Sequence, residues 1–268
     1  MVLSLWHRFV RLLRCFAPFI SAALSFCPSA GQAWNAPGHA AVALIAERLL
    51  TPYAEERVTQ LLALEGSHNL AEVSSWADEI RSEGLQHGPH HTVGIPINAE
   101  NFDPGRDCKE RRCVVLEIED NLARLKSPQV PDEEKLIALK YVVHFIGDVH
   151  QPFHGIKGRG ANIDVVADGQ TMSLHKFWDM SATGPGGAAS LAARLPTGGG
   201  SIGSMDPVRW ALESHDLARQ SLMELGMPPK GAVVTLSQDY ISQAHQIGED
   251  RVLQAGVRLA AALNEALK

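Results

Sequence analysis

Residues 144–154 read HFIGDVHQPFH, and this stretch decides the fold. It closes a run from Lys135 to Val149 that is apolar almost all round, and the acidic residues that follow Pro131 are a typical helix start. We therefore predict a central, buried helix over this run. His144 and Asp148 are four residues apart, so both side chains should project from one face of that helix into an apolar interior.

A carboxylate in such an interior needs compensation, because burying it alone costs several kcal/mol. A metal ion bound jointly by His144 and Asp148 would provide that compensation. The same four-residue spacing recurs at His175 and Asp179. The alternative for each pair is an ordinary hydrogen bond between a histidine and an aspartate of one helix. Two such pairs, together with His154, favour a metal centre.

Helical periodicity dominates the rest of the chain and predicts an all-α fold, a single mostly helical domain with a few short extended segments. Helices are expected over residues 38–50, 52–64, 70–81, 135–149, 174–180, 207–225 and 237–267, the last as one helix or a pair. Three segments have compositions that do not favour helix. They are predicted as loop and short extended pieces at 82–113, a loop with a short hairpin or an extended stretch at 155–170, and a glycine-rich surface connection at 184–203.

The first 33 residues have the composition of a secretory signal peptide. Three arginines precede an apolar run over residues 15–26, and small residues follow up to Ala33. This order predicts cleavage after Ala33, so that the mature domain comprises residues 34–268. An amino-terminal membrane anchor has the same order of charged and apolar residues and is the alternative. We expect a periplasmic or secreted protein with no stable membrane association after cleavage.

Cleavage would make the protein more acidic. It removes three arginines and no acidic residue, which leaves 21 basic against 30 acidic residues and changes the net charge from −6 to −9. Proteins that bind polyphosphate chains usually do so with lysine and arginine. A nucleic-acid substrate would therefore need another source of positive charge, and bound metal could be that source.

Cysteine usage is consistent with export. Cys15 and Cys27 lie in the predicted signal peptide, and Cys108 and Cys113 remain as an even pair. In an exported protein such a pair predicts one short-loop disulfide. The sequence contains no Asn-x-Ser/Thr glycosylation motif, which favours a bacterial protein.

The sequence resembles the S1/P1 nuclease family and, more distantly, the zinc-dependent bacterial phospholipases C. The similar segments extend from Trp34 almost to the last residue and imply a helical fold of the nuclease and phospholipase C type. They are Trp34-x-x-x-Gly38-His39, SWADEIR at 75–81, residues 91–96, Arg106-Asp107-Cys108 with Cys113, residues 144–154, LHKFWD at 174–179 and AGVRLA at 255–260.

The resemblance implies three zinc ions, held by five histidines, three aspartates and the new amino terminus. The implied ligand sets are Asp78, His91, His144 and Asp148 for one ion; His154, His175 and Asp179 for the second; and His39, a bridging Asp148, and the amino group and carbonyl oxygen of Trp34 for the third. Ions of this kind activate water for in-line attack on phosphorus and stabilise the departing oxygen.

The resemblance also implies residues that act on the substrate. Asp78 and Arg81 are the catalytic candidates. Asp78 is one of the implied zinc ligands, and Arg81 matches a family arginine expected to neutralise charge in the transition state. Asn162 matches a family asparagine near the substrate. Thr92 and Gly94 stand where the nucleases carry an aromatic ring that stacks on the base and an Asp or Asn that reads its edge. Stacking is worth about 1–3 kcal/mol per base, so its loss should weaken base-dependent capture.

The remaining histidines are not needed for this site. His90 is the one rival ligand, because it is adjacent to His91. His150, His215 and His245 are expected to be ordinary surface or hydrogen-bonded residues.

Three functions remain open. The first is an endonuclease acting on single-stranded DNA or RNA to give 5′-phosphate products, with additional 3′-nucleotidase activity; the second is a zinc-dependent phospholipase C; the third is a zinc-stabilised binding protein without turnover. The nuclease is favoured, because Asp179 stands where the phospholipases use glutamate and the end of the chain matches the nucleases. The expected partner is single-stranded nucleic acid or a nucleotide, and the expected state is a monomer.

Overall fold

A computed structural model describes residues 34–84, 91–158, 162–183, 186–194 and 203–268. The predicted signal peptide, residues 1–33, lies outside the described residues. The helices are α1 (Ala36–Glu47), α2 (Pro52–Ala63), α3 (Leu70–Val73), α4 (Trp76–Ser82), α5 (Pro104–Asp107), α6 (Val114–Lys126), α7 (Asp132–Val149), α8 (Leu174–Met180), α9 (Gly187–Arg194), α10 (Pro207–Glu224) and α11 (Gln238–Ala266). The strands are β1 (Asp164–Ala167), β2 (Gln170–Ser173) and β3 (Val233–Thr235), and 3-10 turns occupy Lys109–Arg111 and Pro152–His154.

Helix α7 is the centre of the domain, as its apolar sequence predicts. Its first turn carries three acidic residues, which interact favourably with the positive end of the helix dipole. From Leu136 to Val149 nearly every side chain is buried, and the helix packs against α6, α11 and α1. The predicted all-α, mostly helical fold is confirmed. Within the described residues, no helix combines the length and apolar character that a membrane crossing requires.

The only sheet in the described residues is small and has the strand order β2-β1-β3. Strands β1 and β2 form the predicted hairpin, and its turn uses Asp168 and Gly169, both with positive φ, which suits the twist of a two-residue loop. Strand β3 pairs in parallel with β1, with Asp164 opposite Val233. Strand β3 was not predicted from the sequence, because three residues give too weak a periodicity.

One predicted helix is divided in the structure. The segment expected as a single helix over 70–81 forms α3 and α4, separated by Ser74 and Ser75. Neither serine is a strong helix breaker, so the division reflects tertiary contacts. The carbonyl oxygen of Ser74 accepts a hydrogen bond from His144 on α7 at 2.7 Å.

Three further expectations were wrong in detail. Residues 91–113, expected to include short extended pieces, contain α5 and a 3-10 turn but no strand. Helix α6 was not predicted, although its amphipathic sequence begins directly after Cys113. The glycine-rich connection at 184–203 contains α9, whose sequence GAASLAAR is rich in the strong helix former alanine.

Helices α1 and α11 are in close contact at Gly256. A Cβ at this position would lie 2.5 Å from Cγ2 of Ile45 and 3.0 Å from the carbonyl oxygen of Val42. Both neighbours belong to α1, the helix that also carries His39. The absence of a side chain at Gly256 therefore sets the separation of the two helices.

We predict that Gly256→Ala destabilises the protein by about 1–3 kcal/mol, the cost of overpacking a core. In an unconstrained helix interior the same change would stabilise by roughly 0.5–1 kcal/mol, so the sign of the effect is the test. Denaturant unfolding of the wild type and the variant measures it. Ile45→Ala removes Cγ2 but keeps Cβ, which a Cβ on residue 256 would approach to 2.6 Å. It therefore relieves only part of the clash, and the two changes combined should destabilise slightly less than the sum of their separate effects. Stabilisation by Gly256→Ala alone would contradict the close contact.

Candidate metal centre

The end of α7 places His144 and Asp148 in the solvent-inaccessible interior. His144 Nε2 lies 3.3 Å from Asp148 Oδ2, and both side chains are fully buried. His144 Nδ1 donates to the carbonyl oxygen of Ser74, as described above. This bond assigns the proton to Nδ1 and leaves the lone pair of Nε2 directed into the cluster.

Two residues outside α7 complete a first group around His144. Asp78 comes from α4, and His91 comes from the segment after the undescribed residues 85–90. His91 Nδ1 lies 3.0 Å from His144 Nε2, 3.0 Å from Asp148 Oδ2 and 3.4 Å from Asp78 Oδ1. Two ring nitrogens that both present lone pairs repel each other at this distance, so a proton or a cation must lie between them. His90, the predicted rival, lies outside the described residues.

Helix α1 contributes His39 to a second group. Its Nε2 lies 3.4 Å from Asp148 Oδ1, and its ring stacks on the His144 ring with centroids 4.0 Å apart. Gly147 creates the space for this stack, because a Cβ there would lie only 2.7 Å from His39 Nδ1. The missing side chain of Gly147 thus allows α1 to bring a histidine against the ligand face of α7.

A third group combines a residue that follows α7 with two residues of α8. His154, in the 3-10 turn after α7, donates through Nδ1 to the carbonyl oxygen of His91 at 2.8 Å. His175 and Asp179 lie one turn apart on α8, with Nε2 and Oδ1 separated by 3.6 Å. The amide of Gln151 donates to Asp179 Oδ1 and so orients this carboxylate.

The three groups have the geometry of metal sites. Within each group one candidate ligand atom per residue lies within 4.8 Å of the others. The groups are His39, His144 and Asp148; Asp78, His91 and His144; and His154, His175 and Asp179. Nitrogen from histidine and oxygen from aspartate are ligands that zinc prefers in catalytic sites. His144 occurs in two of the groups, and His154 Nδ1 of the third lies 4.0 Å from Asp148 Oδ1, so the three groups form one continuous cluster.

Buried polar atoms in this cluster lack protein partners. Within the cluster, the buried side-chain atoms without a hydrogen-bond partner are both ring nitrogens of His39, Oδ1 of Asp78, Nε2 of His91, both carboxylate oxygens of Asp148 and Nε2 of His154; elsewhere in the described residues they are Nε1 of Trp34 and Nε2 of His215. The oxygens of Asp148 approach histidine nitrogens at 3.0–3.4 Å without the geometry of a hydrogen bond. Leaving so many buried groups unsatisfied is costly, so the residues fit bound cations.

Burial shifts the pKa values of the third group toward neutral forms. It lowers the pKa of His154 to about 3 and that of His175 to about 4. Both rings are therefore neutral at neutral pH and carry the lone pairs that a metal ion requires. Burial also raises the pKa of Asp179 well above its usual range, so this carboxylate needs a nearby cation to remain charged.

The pKa of His144 is shifted in the opposite direction. Burial by itself would lower it, but the carboxylates of Asp148 and Asp78 raise it to about 9. Burial would likewise raise the pKa of Asp148, but His144 and His91 hold it well below the usual range. The cluster therefore strongly favours positive charge beside Asp148, whether carried by a proton or by a metal ion.

Trp34 is fully buried beside this cluster. The backbone N–H of Asn35 donates to the carbonyl oxygen of Asp179 at 3.0 Å, which fixes this part of the chain next to α8. Gly38 permits the close turn, because a Cβ there would lie 2.8 Å from Cβ of Trp34. Trp34 Cδ1 also lies 3.8 Å from the position that a Cβ on Gly147 would occupy. The residue predicted as the mature terminus thus lies close to both α7 and α8.

The candidate substrate residues are all more exposed than the candidate ligands on α1 and α7. Arg81, on α4, is half-buried, and its charge contributes to the lowered pKa of His175. Thr92 is exposed next to His91, and Gly94 is partly exposed. Asn162 is exposed and donates through its amide to the carbonyl oxygen of Gly158 at 2.6 Å.

The disulfide supports the segment that carries His91. Cys108 and Cys113 are bonded, as predicted. On either side of the bridge, the N–H of Gly94 donates to the carbonyl of Asp107, and the N–H of Val114 donates to the carbonyl of Thr92. The disulfide loop is therefore attached to residues 92–94 at two points.

A buried network that was not predicted from the sequence supports the end of α7. His150 is fully buried and donates through Nδ1 to the carbonyl of Ile146, so its Nε2 accepts from Arg258 at 2.9 Å. Arg251 donates to the carbonyl of His150 at 3.0 Å, and both arginines pair with Glu213. The signal in the sequence was the pair of arginines on an otherwise apolar face of α11. His215 is also buried and hydrogen-bonded, to Gly155.

Comparison with known proteins identifies relatives over most of the chain. A family model described as S1/P1 Nuclease matches residues 34–268. Nuclease S1 from Aspergillus oryzae is 31% identical over 91% of this chain and 96% of its own length. Nuclease P1 from Penicillium citrinum is 35% identical over 54% of this chain and 57% of its own, and Endonuclease 4 from Arabidopsis thaliana is 29% identical over 86% and 88%.

We predict that Gly147→Ala lowers the bound metal content by displacing His39. Metal analysis by mass spectrometry, with circular dichroism as the check on folding, measures the effect. Once His39→Ala has removed the clashing ring, adding Gly147→Ala should cause no further loss of metal. Full metal content in the single Gly147→Ala variant would show that His39 is not held by this contact.

Proposed function

The chain belongs to the S1/P1 nuclease family and is a nuclease, and we propose that it is a zinc-dependent endonuclease that cleaves phosphodiester bonds of single-stranded DNA and RNA to give 5′-phosphate products. We also propose 3′-nucleotidase activity. The observation that carries this proposal is the buried cluster around Asp148, in which three His/Asp groups present unsatisfied ligand atoms to one another.

The proposed cofactor is a set of three zinc ions. The proposed ligand sets are Asp78, His91, His144 and Asp148; His154, His175 and Asp179; and His39, Asp148 and both backbone groups of Trp34. When bound, the ions would supply water activation and stabilisation of the negative charge that develops on the phosphoryl group. The first two sets agree with the distances between these side chains, and Asp148 lies between His39 and His144 as a bridging ligand must.

The surrounding residues orient the proposed ligands. His144 and His154 each donate through Nδ1 to a backbone carbonyl, which fixes the ring and leaves Nε2 as the ligand atom. Gln151 performs the same function for Asp179. These hydrogen bonds lie entirely within the protein, so the cluster is organised in advance and little reorganisation accompanies the reaction.

Arg81 would act on the substrate itself. Its charge is felt at His175, so its guanidinium belongs to the electrostatic environment of the third group. We propose that it neutralises charge on the phosphoryl oxygens as the bond to phosphorus is exchanged. Asp78 lies three residues earlier on α4, so one short helix would carry both this arginine and a proposed zinc ligand.

The base would be recognised weakly. Thr92 and Gly94 provide no ring on which a base could stack. Binding therefore lacks the stacking free energy of about 1–3 kcal/mol per base. Asn162 remains as a hydrogen-bonding group on this side. We therefore propose that base-dependent capture is weak.

We propose that the mature protein comprises residues 34–268, acts as a monomer and is periplasmic or secreted after removal of residues 1–33. Export would then serve catalysis directly, because cleavage before Trp34 creates the free amino group that the third ion requires.

Metal analysis combined with hydrolysis assays tests the function. We expect about three zinc ions per chain and hydrolysis of single-stranded DNA, RNA and 3′-AMP that a chelator abolishes and added zinc restores. Phosphatidylcholine serves as the matched control substrate. Hydrolysis of phosphatidylcholine alone would identify a phospholipase C, and full zinc occupancy without any hydrolysis would contradict both enzymatic functions.

A variant that retains one alanine before Trp34 tests the role of the terminus. The extra residue removes the free amino group from the site, so we expect about one zinc ion fewer per chain and reduced hydrolysis of every substrate. An alanine added after Lys268 is the control, because it changes the length of the chain without approaching the cluster. Unchanged zinc content and activity in the amino-terminal variant would refute this ligand.

A further inference from the structure

A cavity of about 430 Å³ lies beside the candidate metal centre, and we call it the lysine pocket. Lys157 and Lys230 line it together with Asn162, Pro228 and Pro229. Its size falls within the range of small-ligand sites, about 300–1,000 Å³. Neither lysine has a role in the proposed zinc chemistry.

The segment that leads into strand β3 builds one wall of the lysine pocket, through Pro228, Pro229 and Lys230. The N–H of Gly231 donates to the carbonyl of Asn162 at 2.7 Å, and the N–H of Asp164 donates to the carbonyl of Ala232 at 2.9 Å. These bonds continue the parallel pairing of β1 with β3. They fix the backbone next to Lys230 against Asn162, which lines the same cavity as Lys157.

Hydrogen bonds also tie the opposite wall to the metal centre. The N–H of Lys157 donates to the carbonyl of Ile95 at 2.9 Å, and the N–H of Val93 donates to the carbonyl of His154 at 2.8 Å. The Lys157 side chain passes 3.9 Å from the position that a Cβ on Gly94 would occupy. Because Lys157 is three residues from His154, their Cα atoms are at most about 11 Å apart.

The charge of the lysine pocket is opposite to that of the protein. Among the residues that the structure describes, no carboxylate lines the pocket and neither lysine forms an ion pair. The proposed mature chain has a net charge of −9, from 21 basic and 30 acidic residues. Two ammonium groups that converge on one cavity repel each other, and an anion between them would remove that repulsion.

We infer that the lysine pocket binds a backbone phosphate of the nucleic-acid strand that flanks the scissile phosphate; this inference rests on the proposed function. The described part of the lining offers two ammonium groups and an amide but no aromatic ring, so it suits a phosphate better than a base. Binding at this distance from the cluster requires a polymer, because a single 3′-nucleotide has only one phosphate. The pocket therefore favours strands over mononucleotides.

The test is the double variant Lys157→Gln/Lys230→Gln, which removes both charges and keeps side chains of similar shape. Lys126→Gln, an exposed lysine at the end of α6, is the control. We expect the KM for a single-stranded oligonucleotide to rise several-fold while kcat and KM for 3′-AMP stay unchanged. The slope of log(kcat/KM) against log[salt] for the oligonucleotide should become shallower by about 0.7, the value for one phosphate that the protein no longer neutralises.

Two outcomes would overturn the inference while the proposed function stands. One is an unchanged KM and salt slope for the oligonucleotide, and the other is an equal loss of activity on 3′-AMP, which would indicate damage to the metal centre. If the wild type hydrolyses none of these substrates, the proposed function is wrong. The same variants are then compared in equilibrium binding to a labelled single-stranded oligonucleotide, where equal affinity and equal salt slope would overturn the lysine pocket.

Discussion

The structure depends on a carboxylate, Asp148, that has no access to solvent. In an apolar helix such a group is tolerated only with positive charge close to it, and the fold brings histidines to it from several directions. His39 arrives on α1 and His91 on an irregular segment, while His144 precedes Asp148 on α7 itself. The packing of the helices thus provides positively charged or metal-binding partners for Asp148. The surrounding hydrophobic core makes every interaction with this carboxylate stronger than it would be in water.

A second constraint follows from the first, because α7 must end at a fixed position. The last carbonyl groups of a helix need partners, and here α10 and α11 provide them. Ser214 donates to the carbonyl of Val149, and Arg251 donates to that of His150. Arg258 closes the network through the ring of His150, with Glu213 balancing the two arginines. The long closing helix α11 thus has a direct connection to the cluster, although none of its side chains is a candidate ligand.

The sequence was sufficient to predict α7 and the His/Asp pairs, because a carboxylate within an apolar helical run is seldom stable unless a cation lies beside it. It was insufficient where the decisive partner is a backbone group. The division between α3 and α4 leaves the carbonyl of Ser74 free to orient His144, and no side-chain pattern encodes that need. The same holds for β3, because its three residues form a strand only through their backbone pairing with β1.

The pairing of β3 with β1 positions Lys230, which precedes β3, and so helps to explain how an acidic protein can bind a polyanion. A uniformly basic surface would attract nucleic acid anywhere on the protein, whether or not the strand reaches the cluster. Positive charge is favoured in the interior beside Asp148, and Lys157 and Lys230 supply it at a cavity, with Lys157 only three residues from His154. The acidic remainder of the surface disfavours strands that do not engage both places. The hydrogen bonds between the β1 and β3 segments fix the backbone next to Lys230 against Asn162 and thereby position Lys230 at the cavity.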